Sequence, residues 1–323
     1  MKERFFITGG TSSIGRVLVK ELALQGIPMN ILVRPNSNRK VIDLPGVRFV
    51  DGDVTDSQSI QKGVEDCTSV IHMAAVVGGN LPEDEWWKIN RDGTRNVLQA
   101  GYDRHLNMVQ VSTMSVFGHT EPGEIADETK KIDTGSYISL YQKTKHAADK
   151  LAFDFAAKGL SVKIVYPAFG YGCSAAASHP SMQDQTLLRM AAGKPAAIMG
   201  SGKNRLCLSY YRDTVNGILL ALKKGRPGDD FLLGNENLNF YEIWAAVAEV
   251  LEKTPPKRRI QLPLLKSIAK ISRLLTGKSV FPPDFFDMIS YDWCFSNQKA
   301  KEELGWRPHS FLDGIRETWQ EYQ

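Results

Sequence analysis

The chain has 323 residues, of which 42% are hydrophobic and 24% are charged, a composition typical of a globular protein rather than a disordered or fibrous one. The formal net charge is only +4, and no stretch of lysine and arginine is interleaved with aromatic residues, so we expect no nucleic-acid partner. The cysteines Cys67, Cys173, Cys207 and Cys294 are widely spaced, which argues against a metal site or a disulfide framework and favours a reducing, cytoplasmic location.

Short apolar stretches alternate with longer stretches of helical periodicity in the first part of the chain. The predicted strands cover residues 5–8, 29–33, 47–50, 70–73, 108–112 and 162–166. The predicted helices cover residues 14–25, 57–64, 85–100 and 141–158. Because strands that alternate with helices pair in parallel through right-handed crossovers, this order predicts an α/β fold with a doubly wound parallel sheet.

The pattern changes after residue 175, where proline-containing stretches separate isolated helices. We expect residues 1–170 to form the core and residues 171–323 to form mainly a smaller, discontinuous C-terminal lobe for the substrate, with segments near 203–235 returning to the core. The first apolar stretch is too short for a signal peptide. No stretch approaches the roughly 18 apolar residues of a membrane span, so we expect no transmembrane segment.

A glycine-rich turn follows the first predicted strand and opens the first predicted helix. Its residues are Thr8, Gly9, Gly10, Thr11, Ser12, Ser13, Ile14 and Gly15. A chain that turns this sharply can bring its backbone amides and the N-terminus of the helix close to the pyrophosphate of a dinucleotide. The alternative is a tight turn without a ligand, but the position after the first strand favours the dinucleotide.

Two features after the second and third predicted strands indicate how a nucleotide is recognised. Arg34 stands where a guanidinium suits a ribose 2′-phosphate, whereas an acidic residue there would bind the 2′-hydroxyl of NAD. This favours NADP(H) over NAD(H), with Arg39 or Lys40 as further contacts and a solvated basic loop as the alternative. Asp53 and Val54 follow the third strand, where a carboxylate can accept from the adenine amino group or can instead cap a helix.

Tyr141 and Lys145 lie four residues apart in a predicted helix, so their side chains project from one face. The ordinary pKa of tyrosine is about 10, which makes it a poor base near neutral pH, but a nearby ammonium favours the phenolate. Such a pair can donate a proton to a carbonyl oxygen during reduction and remove it during oxidation. The alternative is a half-buried aromatic residue beside a solvated charge. Tyr137 lacks the lysine partner.

An ordered set of motifs resembles the extended short-chain dehydrogenase/reductases of the NAD-dependent epimerase/dehydratase superfamily. The pattern is most similar to the 3β-hydroxysteroid dehydrogenase-like and dihydroflavonol reductase-like branches. The motifs are residues 8–15, 52–56, 71–75, 90–94, 113–118, 141–145, 166–168 and 295–308. The resemblance implies a Rossmann-type sheet, a nicotinamide cofactor and a catalytic Ser/Thr, Tyr and Lys, here Thr113, Tyr141 and Lys145. Homodimers are common in this family, so a homodimer is one expectation.

The resemblance also implies further contacts with the cofactor. Besides Tyr141 and Lys145, these contacts are Ala74, Ala75, Asn90, Ser112, Tyr166, Pro167 and Ala168. For Asn90 the alternative is a structural role inside a helix. Ser112 and Ser115 are weaker candidates than Thr113 for the catalytic hydroxyl, and His72 is expected to support the cofactor turn by packing.

The chain departs from the family pattern at two places. Ser12 and Ser13 stand where the family usually has a glycine in the phosphate turn, so a side chain there either displaces the pyrophosphate slightly or donates a hydroxyl hydrogen bond to it. Tyr166 and Pro167 stand where the family commonly has Arg-Pro, so the role of that arginine does not transfer to this chain.

The predicted reaction is hydride transfer between the nicotinamide of NADP(H) and a carbonyl or secondary alcohol of a small, apolar organic substrate. Arg34 favours NADPH, and Arg205 stands eight residues before Asp213, the spacing of the reductase-like branches, whereas many sugar-nucleotide enzymes of the family have a spacing of seven. The first alternative is a nucleotide-sugar epimerase or dehydratase, in which Arg205 or Arg212 binds the anionic substrate. The second is a non-catalytic regulator that senses NADP.

The predicted substrate lobe contains a basic amphipathic helix over residues 262–275, with Lys266, Lys270 and Arg273 near one polar face. We interpret it as a surface helix, with a cap over an apolar pocket or a contact with a membrane surface as alternatives. Five aromatic residues of this lobe suit either an apolar substrate or the protein core: Phe281, Phe285, Phe286, Tyr291 and Trp293.

Overall fold

The computed structural model describes residues 3–79, 81–135, 137–172, 181–194, 196–276 and 285–323. The strands are β1 (Phe5–Thr8), β2 (Met29–Val33), β3 (Val47–Asp51), β4 (Ser69–His72), β5 (Asn107–Val111), β6 (Ser161–Pro167), β7 (Phe169–Tyr171), β8 (Ile198–Met199), β9 (Arg205–Tyr210), β10 (Asp230–Leu233), β11 (Asn237–Asn239) and β12 (Arg259–Ile260). The helices are α1 (Ser13–Leu24), α2 (Ser57–Gly63), α3 (Glu83–Trp86), α4 (Gly93–Asp103), α5 (Leu140–Ala157), α6 (Met182–Ala191), α7 (Tyr211–Lys224), α8 (Phe240–Val250), α9 (Leu262–Thr276), α10 (Phe285–Met288) and α11 (Phe311–Tyr322).

The core is a seven-stranded parallel sheet in the order β10-β6-β5-β4-β1-β2-β3. The order reverses between β1 and β4, and loops at the carboxyl ends of such strands form the crevice where doubly wound folds bind ligands. The predicted α/β fold with a doubly wound, Rossmann-type sheet is therefore confirmed.

Helices cover both faces of this sheet, which explains why the strands at its centre are buried along their whole length. All residues of β1, β2 and β4 are buried. Leu18 and Leu22 of α1 pack with Ile218 of α7 on one face, whereas Val97 of α4 and Phe155 of α5 belong to the core on the other face. The parallel sheet is thus enclosed between two apolar layers.

The predicted strands of the core, and its helices other than 85–100, agree with the structure to within one residue at each end. The segment predicted as a helix over residues 85–100 is helical in the structure, within a longer helical stretch over residues 83–103. There α3 and α4 are joined by a π-helical turn over Trp87–Asp92, which places the buried Asn90 side chain toward α5. The local apolar period could not show this wider turn, because the turn depends on contacts outside the segment.

The second half of the chain contributes to the core and also forms smaller sheets. Strand β10 lies beside β6 at one edge of the central sheet, and α7 packs against α1. The smaller sheets have the orders β11-β9-β7 and β12-β8. Among the described residues, no helix is long and apolar enough to cross a membrane. The described thiols of Cys67, Cys207 and Cys294 are free, and Cys173 lies outside the described residues.

Candidate active site

The glycine-rich turn connects β1 to α1 at the carboxyl edge of the sheet. Gly9 has a φ of +74°, and a Cβ atom on it would lie 2.8 Å from the backbone nitrogen of Ala74. A Cβ atom on Gly15 would lie 2.3 Å from the carbonyl oxygen of Gly9. Ser12 is the N-cap of α1, and its hydroxyl oxygen accepts from the Gly15 amide at 3.1 Å. The Ser12 proton can therefore still be donated, which fits the expected hydroxyl bond to a phosphate.

The buried imidazole of His72 connects the ends of β1 and β4. Its Nδ1 lies 2.6 Å from Thr8 Oγ1, and its Nε2 lies 3.0 Å from Thr94 Oγ1. The Thr8 oxygen also accepts from the amides of Met73 and Ala74, so the Thr8 hydroxyl donates to Nδ1 and the ring carries its proton on Nε2. Burial lowers the pKa of His72 to about 3, which keeps the ring neutral. His72 thus supports the turn, as expected.

The Asn90 side chain is used entirely in internal contacts. Its Oδ1 accepts from the Val76 amide at 2.7 Å, and its Nδ2 donates to the Val76 carbonyl oxygen at 3.0 Å and to Thr144 Oγ1 at 2.9 Å. Only 1% of Asn90 is exposed. The structure therefore favours the structural alternative, in which Asn90 fixes the loop that carries Ala74 and Ala75 against α5, over a direct contact with the cofactor.

The basic residues after β2 differ in how they are engaged. Arg34 is exposed, and among the described residues its guanidinium has no hydrogen bond or ion pair. Arg39 instead forms an ion pair with Asp51 and lies over the Phe49 ring, 5.7 Å from its centre. Lys40 is exposed. Arg34 is therefore the more available of the two arginines at this edge of the sheet.

Asp53 does not cap α2, because Asp56 is the N-cap and accepts from the Gln58 amide at 3.0 Å. Instead, one oxygen of Asp53 accepts from the amide and the hydroxyl of Thr55, both at 2.9 Å. Its second oxygen accepts no hydrogen bond among the described residues. The Val54 side chain is buried in the core, so only its backbone is available to a nucleotide.

The segment after β5 meets the start of α5. Ser139 and Gln142 form a capping box that begins this helix, and the Gln142 side chain donates to the Ser115 carbonyl oxygen at 2.9 Å. Thr113 Oγ1 lies 3.1 Å from Ser115 Oγ and hydrogen bonds with Tyr141. The predicted Thr113 and Tyr141 are thus in contact, although they are far apart in the sequence.

Tyr141 is protonated at neutral pH. Burial raises the pKa of Tyr141 to about 12, its hydrogen bond with Thr113 acts in the opposite direction, and the Asp149 carboxyl raises it further. The expected lowering of this pKa by Lys145 is not seen in the structure. Lys145 is 2% exposed, and its Nζ donates to the Val111 carbonyl oxygen at 2.8 Å. Burial lowers the pKa of Lys145, and Asp149 opposes this shift.

Asp149 is the residue of this region that the sequence analysis missed. It is 2% exposed, and its Oδ2 accepts from Ser112 Oγ at 2.6 Å. Lys145 and Asp149 therefore hold the consecutive residues Val111 and Ser112 at the end of β5, directly before Thr113. The signal was present, because Asp149 follows Lys145 at the same four-residue spacing that separates Lys145 from Tyr141.

The side chains of two other tyrosines, Tyr137 and Tyr166, contact residues other than Lys145 and Thr113. The Tyr137 hydroxyl hydrogen bonds with Nδ1 of His146, so this phenol is not paired with Lys145. Tyr166 is 3% exposed, and its ring meets the Phe117 ring edge to face at 4.8 Å between centres. Only the backbone of Tyr166, next to Pro167 and Ala168 at the end of β6, is therefore available for the predicted contact with the cofactor.

The arginines considered for an anionic substrate are both engaged within the protein. Arg205 donates to the Asn237 carbonyl oxygen from Nε at 3.0 Å and from Nη2 at 2.6 Å. Arg212 forms ion pairs with Glu317 and Glu321. Of the aromatic residues, Trp293 and Phe285 are buried, Phe286 is partly buried, Tyr291 is exposed, and Phe281 lies outside the described residues.

The sheet order and the glycine turn define a Rossmann-type dinucleotide-binding fold. The model of the NAD dependent epimerase/dehydratase family matches residues 5–234. A protein of Synechocystis sp. provisionally named dihydroflavonol 4-reductase is 27% identical, over 100% of this chain and 95% of that protein. A 3β-hydroxysteroid dehydrogenase/Δ5→4-isomerase of Mycobacterium tuberculosis is 26% identical, over 94% of this chain and 86% of that protein.

A similar solved structure is a dTDP-glucose 4,6-dehydratase of Streptomyces venezuelae with bound NAD, with a TM-score of 0.77 and 23% identity over 99% of this chain and 96% of that one. At this level of identity the likeness shows the fold alone. The chain belongs to the NAD dependent epimerase/dehydratase family. It is an NAD(P)-dependent enzyme of the extended short-chain dehydrogenase/reductase type.

Proposed function

We propose that the protein is an NADPH-dependent ketoreductase or dehydrogenase that acts on a carbonyl or secondary alcohol of a small, apolar substrate. The observation that carries the proposal is the contact between Thr113 and Tyr141 at the carboxyl edge of the sheet, with Lys145 one helical turn further along α5. These residues lie two strands away from the glycine turn, because β4 separates β5 from β1.

Each polar group at this position has a role in the proposed reaction. The bound cofactor supplies the hydride. Tyr141 donates its proton to the carbonyl oxygen, which its raised pKa permits because the phenol is protonated near neutral pH. The Thr113 hydroxyl donates a hydrogen bond to the same oxygen as negative charge develops there. Lys145 binds the ribose hydroxyls of the cofactor. In the oxidative direction the Tyr141 phenol first releases its proton, and the phenolate then accepts the proton of the alcohol.

The proposed preference for NADPH is based on Arg34. Because Arg39 is paired with Asp51, Arg34 is the arginine that is available for a ribose 2′-phosphate. The pyrophosphate is assigned to the turn over residues 8–15, and the adenine amino group to the second oxygen of Asp53. Ser12 donates its hydroxyl proton to a phosphate oxygen in this arrangement.

The proposed apolar substrate is supported by the ion pairs of Arg212 with Glu317 and Glu321. Arg205 also directs two of its N–H groups to the Asn237 carbonyl oxygen. The names of two relatives, a dihydroflavonol reductase and a hydroxysteroid dehydrogenase, also describe ring compounds that are not nucleotide sugars. The alternative is an epimerase or dehydratase of nucleotide sugars, and the name of the matching family keeps this reaction class as a second candidate.

A panel of ketones and aldehydes tests the proposal, with NADPH oxidation followed by absorbance. We expect stoichiometric consumption of NADPH by the wild type. Tyr141→Phe should lower kcat/KM by about 10²- to 10⁴-fold while NADPH still binds, because only the proton donor is removed. Tyr137→Phe is the matched control, since that phenol contacts His146, and it should retain most of the activity.

Three results would overturn the proposal. One is turnover of a sugar nucleotide with no net change in NADPH absorbance, together with no activity on the carbonyl panel. Another is a Tyr141→Phe protein as active as the wild type. The third is tight NADPH binding without turnover of any substrate, which would indicate a regulator that senses NADP.

A further inference from the structure

The surface of α9 exposes an unusual number of large apolar side chains. Of the 13 large hydrophobic residues that are exposed in the described part of the chain, five lie on this 15-residue helix. They are Leu264 (54% exposed), Ile268 (40%), Ile271 (56%), Leu274 (85%) and Leu275 (77%). Scattered exposed hydrophobic residues are normal in proteins, but a contiguous exposed group marks an interaction surface.

The exposed apolar residues form one stripe along α9, next to the side of the helix that packs on the protein. Leu264, Ile268, Ile271 and Leu275 follow the spacing of one helical face. The side that packs on the lobe carries Leu265, which is 2% exposed. We name Leu264, Ile268, Ile271, Leu274 and Leu275 the outer apolar stripe.

The charge of α9 indicates what covers the outer apolar stripe. The helix contains Lys266, Lys270 and Arg273 and no acidic residue. Lys266 and Lys270 are exposed, and their four-residue spacing forms a row between the packed side and the stripe. A row of lysines along an apolar stripe is the arrangement of helices that lie in the plane of a membrane surface, where the apolar side enters the acyl region and the cations meet anionic headgroups.

We propose that α9 binds the surface of a lipid bilayer that contains anionic lipids, with the outer apolar stripe inserted at the boundary between headgroups and acyl chains. The helix contacts the protein through Leu265, so this binding does not require it to leave the lobe. The proposal is independent of the proposed reaction, because it depends on the α9 surface and is tested by binding alone.

Flotation of the purified full-length protein with vesicles tests this proposal. The vesicles consist of phosphatidylcholine alone or of phosphatidylcholine mixed with phosphatidylglycerol. We expect the wild type to float with the mixed vesicles and to bind the neutral vesicles more weakly. Leu274→Ser/Leu275→Ser should weaken binding at least about tenfold, because both side chains are largely exposed and their replacement removes insertable apolar area.

A second variant tests the contribution of Lys266 and Lys270. Each lysine near an anionic surface contributes about fivefold to the binding constant, so Lys266→Gln/Lys270→Gln should weaken binding to the mixed vesicles about 25-fold and leave binding to neutral vesicles nearly unchanged. Leu24→Ser is the matched control, because Leu24 is 75% exposed at the end of α1, outside the outer apolar stripe. It should bind vesicles like the wild type. Circular dichroism confirms that each variant is folded.

Several results would overturn the proposal. They are a wild type that stays with neither kind of vesicle, a leucine variant that binds as well as the wild type, and a lysine variant that distinguishes the two vesicles as the wild type does. Light scattering coupled to size-exclusion chromatography provides a further check. If the wild type is a dimer that the leucine variant splits into monomers, a second copy of the chain covers the stripe instead of a membrane.

Discussion

Replacing Asp149 with asparagine is expected to change how the stability of the protein depends on pH. Asp149 belongs to α5 and is buried beside the end of β5, and burial raises its pKa from 3.8 to about 7, with Lys145 and Ser112 acting in the opposite direction. An asparagine has nearly the same shape, and its side-chain oxygen can still accept from the Ser112 hydroxyl. The substitution therefore removes the titration with little change in packing.

The magnitude follows from the two pKa values of this carboxyl. Because the folded state binds the proton more tightly than the unfolded state, protonation of Asp149 stabilises the fold as the pH falls below about 7, and the gain is complete below 3.8. Between pH 8 and pH 5 the gain amounts to roughly 2 to 3 kcal/mol in the free energy of unfolding. The Asn variant has no such gain.

His72 changes the pH dependence of the unfolding free energy in the opposite direction, so its contribution must be separated from that of Asp149. Its folded pKa is lowered from 6.5 to about 3, so the unfolded state binds the proton more tightly and stability is lost as the pH falls through 6.5. At pH 5 this loss is about 2 kcal/mol, which nearly cancels the gain from Asp149 in the wild type. The variant keeps the His72 loss and should therefore be clearly less stable at pH 5 than at pH 8.

Urea unfolding at pH 5, 6, 7 and 8, followed by circular dichroism, measures the difference in unfolding free energy between wild type and Asp149→Asn. This difference isolates Asp149, since His72 and the other groups are common to both proteins. Asp154→Asn, which removes an exposed carboxyl from the same helix, is the control. Parallel stability curves for the wild type and Asp149→Asn would refute the raised pKa.

Three further outcomes are expected. Arg34→Ala should weaken NADPH binding by about 10- to 100-fold and leave NADH binding nearly unchanged, because a charge-assisted bond to the 2′-phosphate is lost. Equal effects on both nucleotides in a fluorescence titration would count against the proposed role of Arg34. Gly15→Ala places a Cβ atom 2.3 Å from the Gly9 carbonyl oxygen, so dinucleotide affinity and the melting temperature should both fall, and an unchanged affinity would contradict the proposed turn. Burial raises the thiol pKa of Cys67 to about 11 and of Cys207 to about 12. Iodoacetamide at pH 8 should therefore label both thiols far more slowly in the native protein than in the urea-unfolded protein, and mass spectrometry measures the labelling.

The sequence by itself determined the layered α/β fold, because the information is local. Apolar stretches that are buried on both faces and helical periods between them indicate a parallel sheet, and β1, β2 and the start of α5 appear at the predicted positions. The proposed pair Tyr141 and Lys145 was recognisable for the same reason, since a spacing of four residues places two side chains on one helical face.

Only the tertiary structure decided which distant groups meet. Thr8 and His72 are 64 residues apart, and they contact each other because β1 and β4 are neighbours in the sheet. The strand order likewise brings β10 beside β6, and the burial of Asp149 behind Lys145 depends on how α5 docks on the end of β5. Contacts between residues so far apart in the sequence depend on how whole helices and strands pack together. The apolar periodicity of a single segment carries no information about them.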